Sequence, residues 1–542
     1  MVTENKESKN TRYSLGLALY AHMKYFRNRI AQYEDETDYV DTYGALLTRC
    51  VRVAMKLQEL DIGEDDIVGA CTHNHRNSCV PFIASTFIGA IPVTFDPAIS
   101  DIDTVSLLRL MQPKVIFISQ EMLKDFETYM EKAQVKPAYT IVFGESRGQY
   151  MSFDEFLKPN IKERQFKVYE TSNPKKTAVV VFSSGTTGLP KGICLNHYTL
   201  LKQSGSFRDD WPEIINSDTV DSVILLYSTL YAISAVGTLI GAVLKGEAKV
   251  LCKSFNAKRF FEIVEKYKVT MSFVPPYYIH EVVVGRAENK DVDIGSLKLL
   301  VTGSTTVSTN QMVDMMAAFP GSYVVNVYGQ TEVSGAISCL YDPKDHDLQR
   351  KKPTTVGKII SHYQWKIVDL ETEKPVTGPN KKGELRLKTD LHMNGYYKMD
   401  SSDAFDSEGY LRTGDVAYVD EDNCLYIDDR IKEMFKYRGW HVLPAIVEEV
   451  VMAYPAVKEA AAIGIPHSED GEHAMALVVL KEGHENVSPE DIKKYADERL
   501  GEYQKLRAGV KIVDELIRTA TGKVKRKAMK EMILSNGTIR AT

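Results

Sequence analysis

Between Val181 and Gly192 the chain reads Val-Phe-Ser-Ser-Gly-Thr-Thr-Gly-Leu-Pro-Lys-Gly, directly after a β-rich run. Ser183, Ser184, Thr186 and Thr187 supply hydroxyl donors, Gly185 and Gly188 let backbone amides turn toward an anion, and Lys191 adds a positive charge. Such a loop suits a polyphosphate. It is not a Walker A loop, because Pro190 rather than glycine precedes Lys191, and no G-x-G dinucleotide fingerprint occurs anywhere in the chain. Further candidates follow in order: Tyr328-Gly329-Gln330-Thr331-Glu332, Arg412-Thr413-Gly414-Asp415, Asp429-Arg430-Ile431-Lys432, Lys436-Tyr437-Arg438-Gly439 and Thr521-Gly522-Lys523. They offer a ring for stacking, a hard oxygen ligand in Glu332, an acceptor in Asp415 and several cations.

These residues need a scaffold, and the pattern supplies one. Up to about residue 430, β-rich runs alternate with helical stretches: 67–70, 115–118, 140–143, 178–182, 223–226, 249–251, 299–302 and 324–327. That alternation predicts an α/β domain of parallel sheets sandwiched by helices. From Arg430 onward the pattern predicts a small α+β unit, with Pro444 opening one helix and Ser488-Pro489-Glu490-Asp491 starting another. The expected division is therefore 1–429 and 430–542, with a hinge at 429–432.

The 542 residues carry 67 basic and 73 acidic side chains, a net charge of −6, which argues against bulk affinity for nucleic acid. Seven widely scattered cysteines fit reduced thiols, and the polar, mixed-charge first ten residues and a final sequence unlike S-K-L make the cytoplasm the expected location. The uncharged stretch 222–244 is long enough to cross a bilayer. Its β-rich start, its hydroxyl residues and Gly237 and Gly241 instead predict a buried strand, a loop and a buried helix, so no membrane span is expected. Cys71, His73, His75 and Cys79 have the residue types of a zinc site, but the stretch also reads as an ordinary strand-to-helix junction, which is the expectation here.

The loop at 183–192 resembles the phosphate-binding signature of the adenylate-forming superfamily, which includes acyl-CoA synthetases, 4-coumarate:CoA ligases, insect luciferases and peptide adenylation domains. The later motifs match it in order, including Gly383-Glu384-Leu385 and Gly395-Tyr396-Tyr397, over roughly residues 40 to 530. The resemblance implies ATP, Mg²⁺ and coenzyme A as cofactors and a small carboxylic acid as substrate. It places Ser183 to Gly188 and Lys191 at the phosphates, and Gly303, Ser304, Thr305, Tyr328 and Gly329 at the adenine. Thr331 is assigned to a phosphate, Glu332 to Mg²⁺, and Asp415 with Arg430 to the ribose. Lys523 is implied for adenylation, while Lys432 marks the hinge and Lys436, with Arg438, the second half-reaction.

The sequence departs from that family where many members carry P-x-x-H: here it reads Ser228-Thr229-Leu230-Tyr231, so Tyr231 is expected to wall the acyl pocket in place of a histidine. The implied function is an acyl-CoA synthetase for a carboxylic acid, a fatty acid in the first instance. The alternatives are a luciferase that adenylates and oxidises a luciferin carboxylate, and an inactive relative acting as a binding protein.

Overall fold

The computed structural model describes residues 13–144, 148–183, 190–209, 222–342, 345–519 and 522–535. Two open sheets form the body of the larger part. One is a five-stranded, all-parallel sheet in the order Ile91–Phe95, Ile67–Cys71, Val115–Ser119, Tyr139–Phe143, Met151–Ser152. The other has nine strands: a parallel centre holds Val223–Leu225, Ala248–Leu251, Met271–Phe273, Leu299–Gly303 and Tyr323–Gln330, and antiparallel strands close its edges.

Strands of this kind are continuous apolar runs because both faces are covered. Along Val115–Ser119, Val115 and Phe117 enter one hydrophobic core while Ile116 and Ile118 enter another on the opposite face. Ile67 and Cys71 likewise separate from Val68 and Ala70, as the two-residue period of a strand requires. Cys71 and Cys79 also fall in these two different cores, and Cys79 precedes the helix Val80–Phe87, so that stretch is a strand-to-helix junction.

The stretch 222–244 folds as the strand Val223–Leu225, a loop, and the helix Ile233–Lys245, ended by Gly246 at φ 68° against the Phe26 ring. Among the described residues no helix is long and apolar enough to cross a membrane. The helix has two uses: Val236, Leu239, Ile240 and Val243 pack into the core, while Ser234, Gly237, Thr238 and Gly241 line a cavity.

A separate antiparallel hairpin, Thr177–Ser183 with Lys191–Asn196, sets Ser183 opposite Lys191. The antiparallel sheet Gln364–Val368, Gly383–Lys388, Leu411–Val419, Leu425–Arg430 leads out of the large part. Phe435–Tyr437 then begins a second core, in which Val457–His467 and Gly471–Leu480 pair over most of their length and Pro444–Met452 covers one face. The larger α/β part and smaller α+β part agree with the fold expected from the sequence.

Gly303 is the clearest case of backbone dictating residue type. It sits at φ 148°, and a Cβ there would lie 2.1 Å from the Val327 carbonyl of the neighbouring strand. Gly303→Ala is therefore expected to push these two strands apart, costing about 1–3 kcal/mol of strain. Chemical denaturation of the variant beside the parent checks this.

Candidate functional site

The hairpin at 177–196 is held from outside by the segment Asn394–Tyr397. The Asn394 amide donates to Cys194 O (2.8 Å), Cys194 N to Gly395 O (3.0 Å), and Tyr397 N to Gly192 O (2.7 Å). This clamp sets Tyr396 between two charges: the Lys191 ammonium lies 4.5 Å from its ring centroid, and its hydroxyl donates to Glu332 Oε1 at 3.4 Å. A cation over a ring face is an attractive arrangement. The hydroxyl-bearing turn Ser184, Gly185, Thr186, Thr187 and Gly188 lies outside the described residues.

Tyr323–Gln330 delivers the next group. The Tyr328 hydroxyl donates to Asp415 Oδ2 at 2.5 Å, and the Gln330 amide donates to the same oxygen at 2.7 Å and to Thr413 O at 2.9 Å. Arg430, opposite Asp415 in the sheet, closes the cluster with Nε 2.8 Å from Oδ1. Asp415 thus has partners on both oxygens and is 2% exposed. Its charge raises the Arg430 guanidinium pKa above the usual range. Burial, and then Asp415, push the Tyr328 phenol far above its ordinary value, so it is a donor here.

A cavity of 1140 Å³ runs from these groups into the large part and is closed on one side by the smaller part. Ser183, Lys191, Tyr231, Ser304, Gly329, Thr331, Glu332, Arg430, Lys432 and Lys523 line it. Tyr328 and Asp415 stand behind that wall, and Gly303 and Thr305 flank Ser304 without lining the cavity themselves. The Tyr328 ring packs in the core and its hydroxyl is committed to Asp415. Lys436 is exposed on the strand Phe435–Tyr437, and Arg438, at φ 47°, pairs with Asp470 at 2.5 Å, so neither belongs to the cavity in this arrangement.

Lys523 reaches the cavity through a close contact between the two parts. Gly522 has φ 81°, and a Cβ on it would lie 1.9 Å from the Tyr277 ring. Only glycine permits this turn to lie flat on the helix Pro276–Glu288. The Arg518 guanidinium donates to Gly522 O at 2.7 Å. Beyond it, Lys525 pairs with Asp103 (2.9 Å), Lys458 with Glu281 (3.0 Å), and the Thr309 hydroxyl donates to Glu449 (2.9 Å). Burial, then the neighbouring Arg430, lower the Lys523 ammonium pKa to about 8, against the pull of Asp415, Glu332 and Glu433.

At the exit from the large part, the buried Asp429 carboxylate accepts from the amides of Arg430 (2.7 Å) and Ala445 (2.8 Å). Burial raises its pKa to about 7, with Arg526 opposing and Glu448 adding to the rise. Tyr231 is buried, 5.9 Å from the Phe182 ring, and burial raises its phenol pKa well above the ordinary value.

Several residues that shape the site carry no signal as isolated letters. Gln330 occupies the variable position of its motif, yet it ties Asp415 to Thr413. Tyr277 and Asp103 are ordinary helix residues by pattern, and only the fold shows that they receive the smaller part. Glu384, inside Gly-Glu-Leu, accepts from the Gly414 amide at 3.2 Å and fixes that turn.

A two-part α/β enzyme with a cation-lined cleft between its parts is the class that fold and site define. The chain matches the family model of AMP-binding enzymes over residues 21–397 and that of their C-terminal domain over residues 446–523, and it belongs to that family. It is 28% identical over 499 residues to a luciferin 4-monooxygenase of Photuris pensylvanica, covering 90% of this chain and 89% of that protein. It is 27% identical over 523 residues to a 4-coumarate–CoA ligase of Vanilla planifolia, covering 94% and 92%. Among solved structures, the luciferase-like enzyme from the nonluminescent mealworm Zophobas morio is 35% identical, with a TM-score of 0.72 over 80% of this chain and 98% of that one. The fold is shared with the anthranilate CoA ligase AuaEII bound to anthranoyl-AMP, at a TM-score of 0.83, 22% identity, and coverage of 97% and 99%. The expectation of an adenylate-forming, ATP-dependent enzyme holds.

The lowered Lys523 value gives a pH test. The ammonium is charged below about 8 and loses its proton as pH rises through that value. The kcat/KM for ATP in adenylate formation, which reports the free enzyme, is expected to be flat below about pH 8 and to fall above it. In Lys523→Arg the fall should be absent from that range.

Proposed function

We propose that the protein is an acyl-CoA synthetase that activates a carboxylic acid in two half-reactions. A carboxylate oxygen attacks the α-phosphorus of ATP, the bond to the β-phosphate oxygen breaks, and pyrophosphate leaves. The thiol of coenzyme A then attacks the acyl carbon, the bond to the adenylate oxygen breaks, and AMP leaves. The observation that carries this reading is the Lys523 ammonium, held half-buried in a cleft it shares with Lys191, Arg430 and Glu332.

Each group has a task under this reading. Lys523 faces the charge that grows between carboxylate and α-phosphate, and a preorganised cation in a partly desolvated cleft gains more there than in water. Lys191 and Thr331 receive phosphate oxygens, and Ser304 sits at the adenine side. Arg430 and Asp415 form the ribose end, with Tyr328 and Gln330 holding the Asp415 carboxylate in position. Glu332 is a half-buried carboxylate on the cavity wall whose donor among the described residues is the Tyr396 hydroxyl at 3.4 Å, so it fits a hard cation. Mg²⁺ bound there would offset phosphate charge.

The second half-reaction calls for a rotation of residues 430–542 about Asp429 to Lys432. Lys523 then leaves, and the face carrying Lys436 and Arg438 enters. Among the described residues, the links that hold the present arrangement are mostly polar: Lys525 to Asp103, Lys458 to Glu281, Thr309 to Glu449, and Gly522 on Tyr277. Polar links of this sort, which keep water within reach, suit a contact that must release. Tyr231, kept protonated by burial, offers no imidazole-like proton acceptor to the acyl pocket. That favours the thioester branch over an oxidative, light-emitting one.

Two substitutions separate the half-reactions. Lys523→Ala is expected to slow pyrophosphate release by at least ~100-fold while leaving transfer from supplied acyl-adenylate to coenzyme A nearly intact. Lys436→Ala is expected to do the reverse. Equal damage to both steps by either variant would refute the assignment.

A further inference from the structure

Resting on the nucleotide site of the synthetase reading, we infer that Tyr396 is a positioning residue for ATP and its cation: its ring keeps Lys191 and Glu332 from pairing with each other, so both charges stay available to the nucleotide. Lys191 and Glu332 carry opposite charges and line the same cavity. In a partly desolvated cleft such groups attract strongly. Among the described residues they form no ion pair with each other. Each instead meets Tyr396, the ammonium 4.5 Å from the ring centroid and the carboxylate 3.4 Å from the hydroxyl.

The backbone fixes the ring in this place. The Tyr396 amide donates to the Ser401 hydroxyl at 2.7 Å, and Tyr396 bridges antiparallel to Ile193 of the hairpin. The Met393 amide donates to the Glu332 carbonyl at 2.7 Å. One short segment is therefore tied both to the turn that carries Glu332 and to the strand that carries Lys191. Gly395 turns that segment at φ 123°, where a Cβ would lie 2.9 Å from Ser401 Oγ. Burial, then the Glu332 charge, raise the Tyr396 phenol pKa above its ordinary value, so the hydroxyl donates to the carboxylate.

Both contacts are of a kind that gives way. A cation over a ring face and a long phenol–carboxylate bond are each weaker than a direct, charge-assisted lysine–carboxylate bond. Phosphate oxygens can therefore draw the ammonium off the ring, and a hard cation can draw the carboxylate off the hydroxyl, with no ion pair to separate first. Arg430 and Lys523 also feel the Glu332 charge. Arg430, however, is held by Asp415 at 2.8 Å, and Lys523 enters from the smaller part. Lys191 is the cation that shares the ring with Glu332.

The test is a double-mutant cycle read by calorimetric titration with ATP alone, no acid being present, first with Mg²⁺ and then in EDTA. Tyr396→Phe keeps the ring and is expected to hold the Kd within about 3-fold of the parent. Tyr396→Leu removes the ring, lets Lys191 reach Glu332, and is expected to weaken binding by about 10-fold or more. In a Glu332→Gln background the same leucine substitution should change the Kd by less than about 3-fold, because the carboxylate that captures Lys191 is gone. Tyr396→Met, run beside it, carries the same expectations and guards against a folding failure of the leucine form. An aliphatic substitution with equal effect in both backgrounds would overturn the inference, since a scaffold residue or a direct nucleotide contact behaves that way. So would a phenylalanine form as damaged as the leucine form, or no loss in either aliphatic variant. Each of these outcomes leaves the synthetase reading standing. A parent enzyme that binds ATP in neither condition would overturn both.

Discussion

The arrangement depends on one contact, the Gly522 turn lying on the Tyr277 ring. It brings a lysine from the end of the chain into a cleft built mainly by residues before 430, where burial and Arg430 work against its charge and Asp415, Glu332 and Glu433 work for it. A side chain on residue 522 would collide with the ring, and the positive φ adds a second reason for glycine. On the proposed reading this poises the cation: it is desolvated enough to interact strongly with developing charge, and its neighbours are anionic enough to keep it protonated near neutral pH.

The rest of the molecule serves that cleft by keeping its walls rigid. Strands buried on both faces, such as Val115–Ser119, make a frame in which each side chain has a fixed core. The helix Ile233–Lys245 shows how the frame becomes a pocket, since residues on its packing face and on its cavity face follow from the same 3.6-residue period. On the proposed reading, rigid walls and a small part joined by polar links are complementary: the substrates need fixed geometry, and the proposed exchange of Lys523 for Lys436 needs a contact that opens.

Much of this was legible in the sequence, for identifiable reasons. Continuous apolar runs mark doubly covered strands, and Ser488-Pro489 marks a helix start, so the order of elements could be read from local pattern; Ser488 does accept from the Asp491 amide. The motif at 328–332 was visible as letters, but its geometry was not. Tyr328 reads as a stacking ring, and the bond of its hydroxyl to Asp415, 87 residues away in sequence, shows only in the fold. Gln330, Tyr277 and Asp103 were silent for the same reason, because their roles come from contacts between distant segments that no local periodicity encodes. The return strand after residues 184–189 was also hidden: Lys191 stands opposite Ser183 in a two-stranded hairpin.

The central claim is that the arrangement described here is the adenylating one and must open for the second half-reaction. Locking it tests this directly. Cysteines at positions 103 and 525, which now hold an ion pair at 2.9 Å, can be joined by a short bifunctional thiol reagent. The joined enzyme, compared with the same variant unjoined, is expected to release one equivalent of pyrophosphate per enzyme at an unchanged single-turnover rate. It should then retain acyl-adenylate without forming thioester when coenzyme A is added. Thioester formation at the unjoined rate would contradict the account.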